Sequence, residues 1–290
     1  MLVGTTVLRR YVLLRPIGRG GVSVVYQAID VESARPLAIK LLAPAAVTDR
    51  RARDGVRHEA LVARRLRHPS VPRIYDVGEL TLASGETSSY MAMELLAGQS
   101  LAMRLAAGPL PWPEAVRTAA TVADVLAVAH RRGVVHRDLT PSNVMLTRSG
   151  AKVIDFGLAT VADGADSGRP AGRTPRSAAP PATPAVGVRQ GRTSDDVYAL
   201  GVLLYHMVTG HSPYPSASPG APMDGLRSSW VAPTPVLAVA GLPRPIADLC
   251  RLCMHKRSDA RPASSEAAFA LWDLLASPKS GPAVAAARPA

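Results

Sequence analysis

His136-Arg137-Asp138-Leu139-Thr140-Pro141-Ser142-Asn143, with Asp155-Phe156-Gly157 beginning twelve residues after Asn143, constrains this chain more than any other stretch. Asp138 and Asn143 stand five positions apart, so one short loop can present a carboxylate beside an amide oxygen. Asn143 and Asp155 supply hard oxygen ligands of the kind a divalent cation such as magnesium takes. Moving a phosphoryl group asks for charge neutralisation and positioning more than for covalent work, and these three side chains offer both. Asp138 is then the candidate catalytic base, aimed at an incoming hydroxyl, and Asn143 and Asp155 are the candidate metal ligands. The apolar runs Gly133-Val134-Val135, Val144-Met145-Leu146 and Lys152-Val153-Ile154 read as short strands that hold the loop in a rigid frame.

The segment resembles the catalytic and metal-binding loops of bacterial eukaryotic-type (Hanks-type) serine/threonine protein kinases, whose motifs follow a fixed order along the chain. Each upstream motif has a match. Ile17-Gly18-Arg19-Gly20-Gly21-Val22-Ser23-Val24-Val25-Tyr26 lies between β-prone stretches, as a glycine-rich loop over ATP phosphates does. Glycine there lets backbone N–H groups approach phosphate without a Cβ in the way. Leu37-Ala38-Ile39-Lys40 supplies a strand lysine for the nucleotide's phosphates, and Val56 to Leu66 reads as a helix whose inward carboxylate is Glu59. The resemblance implies that Glu59 pairs with Lys40 and orients it. Tyr90 to Leu96 resembles the strand and hinge between two lobes. The implied ATP-binding set is Ile17, Gly18, Gly20, Gly21, Val25, Ala38, Lys40, Glu94, Leu96 and Met145. Asp138, Lys40 and Glu59 form the implied catalytic set.

What the resemblance implies for the fold is an α+β, two-lobed protein-kinase-like architecture: a small β-rich N-lobe with one main helix and a larger, mostly helical C-lobe. It covers about residues 11–275, with the N-lobe at about 11–95 and the C-lobe at about 96–275. Residues 1–10 precede it as an N-terminal extension, and 276–290 read as a flexible Ala/Pro-rich tail. Ser194 to Val208 resembles the buried central helix of the larger lobe, with Asp196 bracing the catalytic loop. Arg261, in Ala260-Arg261-Pro262, matches a late arginine that in the family is paired to the glutamate of an Ala-Pro-Glu motif. Here the chain departs, because it holds no glutamate between Glu114 and Glu266. The expectation is a repacked Arg261, more solvated or paired to an aspartate. Thr140 is a second departure, standing where serine/threonine kinases generally carry a lysine toward the γ-phosphate.

The activation segment, about 155–193, is rich in Ala, Gly, Pro, Arg and Ser without helical or strand period. Arg137 precedes the catalytic aspartate, and by the logic of the resemblance a phosphorylated hydroxyl could dock on it and order the loop. Ser167, Thr174 and Ser177 are the candidate acceptors, and Thr174 could instead hydrogen-bond Asp138. A loop with incidental hydroxyls is the other reading.

The net charge of +12 raises nucleic acid as a partner. Thirty arginines against four lysines, beside abundant alanine and proline, fit the codon bias of a GC-rich genome instead, and no dense basic tract stands out. Nucleic acid is therefore an unlikely partner. Cys250 and Cys253 have neither the haem-attachment spacing nor a second ligand pair for zinc, and read as two buried thiols on a helix. No run of about 18 apolar residues exists to span a membrane, and Met1 to Arg10 has no signal-peptide core, so a cytoplasmic protein is expected.

Two functional readings follow. The first is an ATP- and Mg2+-dependent kinase that phosphorylates Ser/Thr hydroxyls of protein substrates, itself included. The alternative is a pseudokinase-like scaffold, motivated by the missing glutamate, Thr140 and the irregular activation segment. Oligomeric state, substrate and activating signal have no signature here.

Overall fold

The computed structural model describes residues 6–7, 9–19, 23–42, 62, 66–81, 87–156, 160–161, 193–214 and 233–276. They fall into two compact units, Met1–Leu101 with Val128–Arg176, and Ala102–Ala127 with Ser177–Ala290.

The first unit is built on a six-stranded antiparallel sheet: β1 (Thr6–Val7), β2 (Tyr11–Arg19), β3 (Ser23–Asp30), β4 (Arg35–Leu42), β5 (Ile74–Thr81) and β6 (Thr87–Glu94), in the order β1-β2-β3-β4-β6-β5. Period-two alternation sorts its side chains. Leu37, Ile39 and Leu41 of β4 join Tyr11, Leu13, Ala28, Tyr90 and Ala92 in one buried cluster. Ala38 and Lys40 alternate with them, so they stand on the opposite face. Because β4 is central, both faces are covered and Leu37 through Leu42 are all buried. Tyr11 and Tyr90 carry hydroxyls into the apolar cluster, and both donate to Asp76 Oδ2, at 3.1 and 2.7 Å.

Below this sheet in sequence, β7 (Gly98–Ser100), β9 (Val144–Thr147) and β10 (Gly150–Val153) form a three-stranded sheet in the order β10-β9-β7, and β8 (Val134–Val135) pairs with β11 (Thr160–Val161). The two apolar runs expected as short strands pair as the antiparallel β9–β10 hairpin, and Gly150 adopts φ +110° at its turn. Gly98 admits a close strand approach: a Cβ there would lie within contact-violating distance of the Leu146 carbonyl.

The second unit is helical. Alongside α1 (Leu101–Leu105), whose first residue ends the previous unit, are α2 (Trp112–Arg131), whose residues from Val128 on belong to the first unit, α3 (Thr193–Thr209), α4 (Arg244–Cys253) and α5 (Ser264–Ala276). Helix α2 starts with Pro113 and Glu114 in its first turn and ends with His130 and Arg131, charges that complement its dipole. Its buried residues mix small Ala115, Ala119, Ala120 and Ala123 with larger Val116, Val122, Val125 and Leu126. Helix α3 is apolar nearly all round and accordingly buried. At Gly201 it meets α4, where a Cβ would come 2.7 Å from Met254 Cγ and 2.8 Å from Cys253 Cβ. The Cys250 thiol reaches the Gly201 carbonyl at 3.4 Å. Both cysteines are thus packing residues, and burial pushes the Cys253 thiol up to about 12.

The helix expected over Val56 to Leu66, and with it Glu59, lies outside the described residues except for buried Val62 and Leu66. So do Gly20, Gly21, Gly157, Ser167, Thr174 and Ser177.

Candidate active site

The site's upper wall follows from sheet register. Gly18 pairs with Val25, Val25 with Lys40 and Lys40 with Met91, so these four residues form one cross-strand row on the face opposite the apolar cluster. Ala38 stands two residues from Lys40 on the same face, opposite Met93. A small side chain beside a lysine leaves room for a planar group against the sheet. Ile17 is 41% exposed and flanks the row at the end of β2.

Lys40 is buried to 8% exposure, yet its ammonium has a counter-charge: Nζ lies 3.1 Å from Asp155 Oδ1. The two residues are 115 positions apart in sequence. Asp155 itself is exposed and adopts φ +64°, a left-handed conformation that a non-glycine residue rarely takes. It directly follows Ile154, whose N–H donates to the Asn143 carbonyl at 2.9 Å, and it directly precedes Phe156, 2% exposed. The backbone is pinned on one side and the aromatic ring anchored on the other, which holds the unusual dihedral in place.

The catalytic loop is fixed by its own side chains. Pro141–Asn143 forms a single 3-10 turn, with the Asn143 N–H donating to Thr140 O at 3.0 Å. Asn143 Nδ2 donates to Asp138 O at 2.8 Å and to Asp138 Oδ2 at 3.2 Å. With the amide nitrogen committed to Asp138, the amide oxygen is the end left to meet a cation. His136 is fully buried and organises the loop from behind. Its Nδ1 accepts the Asp138 N–H at 3.3 Å, which puts the ring proton on Nε2, 3.4 Å from the Ile154 carbonyl it donates to. The ring also packs on Phe156, with centroids 4.6 Å apart. Arg137, between them, is likewise left-handed at φ +69°.

Glu94 closes β6 and reaches two neighbours. Its Oε1 lies 2.6 Å from Lys152 Nζ, and its Oε2 accepts the Arg73 N–H at 3.1 Å, while its own N–H donates to Arg73 O at 2.8 Å. Leu96, half-buried, follows two residues later, and Met145 on β9 is half-buried opposite Lys152 and Ser100.

The structure therefore brings together Lys40 with Asp155, Asp138 with Asn143, and Gly18 with Val25. His136 opens the motif without a role assigned from sequence, and Lys152 is not singled out there. The one legible hint of Lys152 is a lysine that interrupts an apolar strand and is only 11% exposed at its side chain. Asn143 and Asp155 offer an amide oxygen and a carboxylate, a donor set that fits a hard divalent cation.

Arg261 answers the missing glutamate. Its side chain is 0% exposed, and the guanidinium donates to His255 O at 2.8 Å, Ser194 O at 2.8 Å and Lys256 O at 3.2 Å, with Asp195 Oδ1 at 3.5 Å. Its planar face also sits 4.9 Å from the Tyr198 ring centroid. Of the two expected outcomes, the aspartate partner is the one found, and greater solvation is not. Backbone carbonyls do the rest.

Residues 11–272 match the protein kinase domain model. The chain is 32% identical over 256 residues to the probable serine/threonine-protein kinase PknB of Bifidobacterium longum, covering 85% of this chain and 37% of that protein. It is 33% identical over 225 residues to serine/threonine-protein kinase PrkC of Bacillus subtilis, covering 75% of this chain and 33% of that one. Against serine/threonine-protein kinase pkn3 of Myxococcus xanthus the figures are 31%, 91% and 50%. The chain thus spans half or less of these curated relatives. A crystal structure of the Mycobacterium tuberculosis PknI kinase domain superposes with TM-score 0.69 at 25% identity, covering 94% of this chain and 98% of that one. Family membership carries the general use of ATP and a divalent metal. This chain belongs to the protein kinase family, in its bacterial Hanks-type serine/threonine branch.

Proposed function

We propose that the protein is an active ATP-dependent serine/threonine protein kinase. The observation that carries this is the paired geometry at the catalytic loop: Asn143 holds Asp138 through two hydrogen bonds while Lys40 meets Asp155 at 3.1 Å. A scaffold has no use for a buried lysine paired to an exposed aspartate beside an anchored carboxylate. The motive for the scaffold reading has also weakened, since Arg261 is satisfied without a glutamate.

Each residue then has a role. Asp138 receives the substrate hydroxyl, orients it and accepts its proton at a carboxylate oxygen. Asn143 keeps that carboxylate from rotating away. Lys40 presents its ammonium to the nucleotide's phosphates, with Glu59 as its orienting partner. Ile17, Gly18, Val25 and Ala38, with Gly20 and Gly21 of the glycine-rich motif, would bind the nucleotide, Glu94 and Leu96 would offer backbone groups to adenine, and Met145 would contact it. Asn143 and Asp155 would hold Mg2+, which would neutralise charge on the phosphates. Thr140 supplies no cation, so Lys40 carries more of the phosphate contact than in relatives with a lysine there.

Protein hydroxyls are the acceptors in this reading, and Ser167, Thr174 and Ser177 are sites of autophosphorylation that Arg137 answers. The use of ATP supports a cytoplasmic setting, and among the described residues no helix is long and apolar enough to cross a membrane. Incubation with ATP and Mg2+, followed by phosphopeptide mapping, tests the acceptor assignment. Phosphoserine or phosphothreonine between residues 158 and 193, absent when EDTA replaces Mg2+, is expected. Label confined to tyrosine, or none in a preparation that phosphorylates other proteins, contradicts it.

A further inference from the structure

One cavity lies outside the catalytic loop and shares Glu94 with the proposed adenine site. It has a volume of about 930 Å³ and lies in the first unit, where the loop over residues 66–73 meets the start of β5, the end of β6 and β10. That volume falls within the usual range for a ligand-binding cleft. Its walls are apolar at Leu66, Val71 and Ile74, and its rim carries the exposed side chains of Arg67, Arg73 and Tyr75.

The charge around it is one-sided. Among the described lining residues Glu94 is the single carboxylate, and both its oxygens are committed, one to Lys152 Nζ and one to the Arg73 N–H. Among the described residues neither the Arg67 nor the Arg73 guanidinium has an acidic partner. Arg35 does not line the cavity, but its guanidinium stacks over the ring of Tyr75, which does, at 5.1 Å. The arrangement is held firmly: Val71 N–H donates to His68 O at 3.1 Å, Ser70 N–H to His68 Nδ1 at 3.0 Å, and Val153 N–H to Ser70 O at 2.8 Å.

We propose that this cavity is a docking site for an acidic protein segment, an apolar side chain seating between Leu66, Val71 and Ile74 while flanking carboxylates meet Arg67, Arg73 and Arg35. Guanidiniums suit this role through their bidentate match to carboxylates. A protein tethered here is held on the unit that carries Asp138 and Asp155, which raises its effective concentration at the catalytic loop. The site is read by binding alone, so it stands or falls separately from catalysis.

The test uses the full chain with excess ATP, so that the nucleotide site is occupied, and a fluorescein-labelled peptide library in which glutamates flank one degenerate apolar position. Anisotropy should show saturable binding, with a lysine-flanked library failing to bind. Arg67→Glu with Arg73→Glu should weaken the acidic library at least about tenfold. Arg244→Glu with Arg251→Glu, the same change of net charge on exposed residues of α4, should leave it within about twofold. Equal losses in the two double variants would reduce the effect to net charge and overturn the site. So would unchanged binding in the Arg67/Arg73 variant while its thermal unfolding matches wild type, or a preference at this cavity for single-stranded RNA over the acidic library.

Discussion

Individual residues at this site work in pairs. Asp138 and Asn143 share two hydrogen bonds, and Lys40 and Asp155 share an ion pair, so removing one partner alters the other. Lys40→Met leaves Asp155 without its ammonium and the phosphates without a contact. Phosphoryl transfer should fall by two orders of magnitude or more, roughly the worth of one oriented charged donor. A steady-state assay that found near-normal turnover would remove Lys40 from the mechanism. Arg261 makes a structural prediction of the same kind. Arg261→Ala removes the donor to three carbonyls and the ion pair to Asp195, and should cost roughly 2 to 4 kcal/mol in urea unfolding. Arg261→Lys should recover little of this, since one ammonium cannot reproduce a fork of donors. The loss of glutamate is plain in the sequence, but its replacement is not, because carbonyl acceptors leave no mark on residue identity.

Among the elements, the short strands at β9 and β10 are legible from their apolar runs, while the six-stranded sheet and α3 are implied by the family resemblance. Less legible is what happens across elements. Nothing near Glu94 in sequence announces Lys152, 58 residues away, and nothing near Asp76 announces that two tyrosine hydroxyls converge on it. Such pairs arise from register and strand order, which local patterns do not encode. The tyrosine pair predicts alkaline behaviour. Burial, then the hydrogen bond to Asp76, pushes Tyr11 up to about 12, and Tyr90 is pushed up by the same causes. Tyrosine in an unfolded chain titrates near roughly 10, so this contribution is complete below that pH and is lost as pH rises toward the folded value. Urea stability should therefore decline from pH 10 upward, and Tyr11→Phe should flatten the decline. A wild-type curve level to pH 12 would contradict it. At the α3–α4 crossing, Gly201→Ala forces a methyl to within 2.8 Å of Cys253 and Met254 atoms and should cost about 1 to 3 kcal/mol, read by thermal melt.

The molecule as a whole keeps the family's chemical constellation while changing two of its supports. In the proposed mechanism Thr140 offers no cation to the transferring phosphate, and Asp195 with backbone carbonyls stands in for the family's glutamate at Arg261. Neither change touches the hydrogen bonds that hold Asp138, or the ion pair that holds Asp155. This predicts slower chemistry than in relatives with the lysine, not its loss. The most direct measurement is phosphate transfer from radiolabelled ATP to a protein substrate by wild type and by Asp138→Asn, with ATP binding followed in parallel by calorimetry. The expected result is transfer by wild type, a roughly hundred- to ten-thousand-fold lower rate in the variant, and equal ATP affinity in both. Equal transfer rates in the two proteins, or ATP binding with no transfer by wild type, would contradict the assignment of Asp138 as the catalytic base of an active kinase.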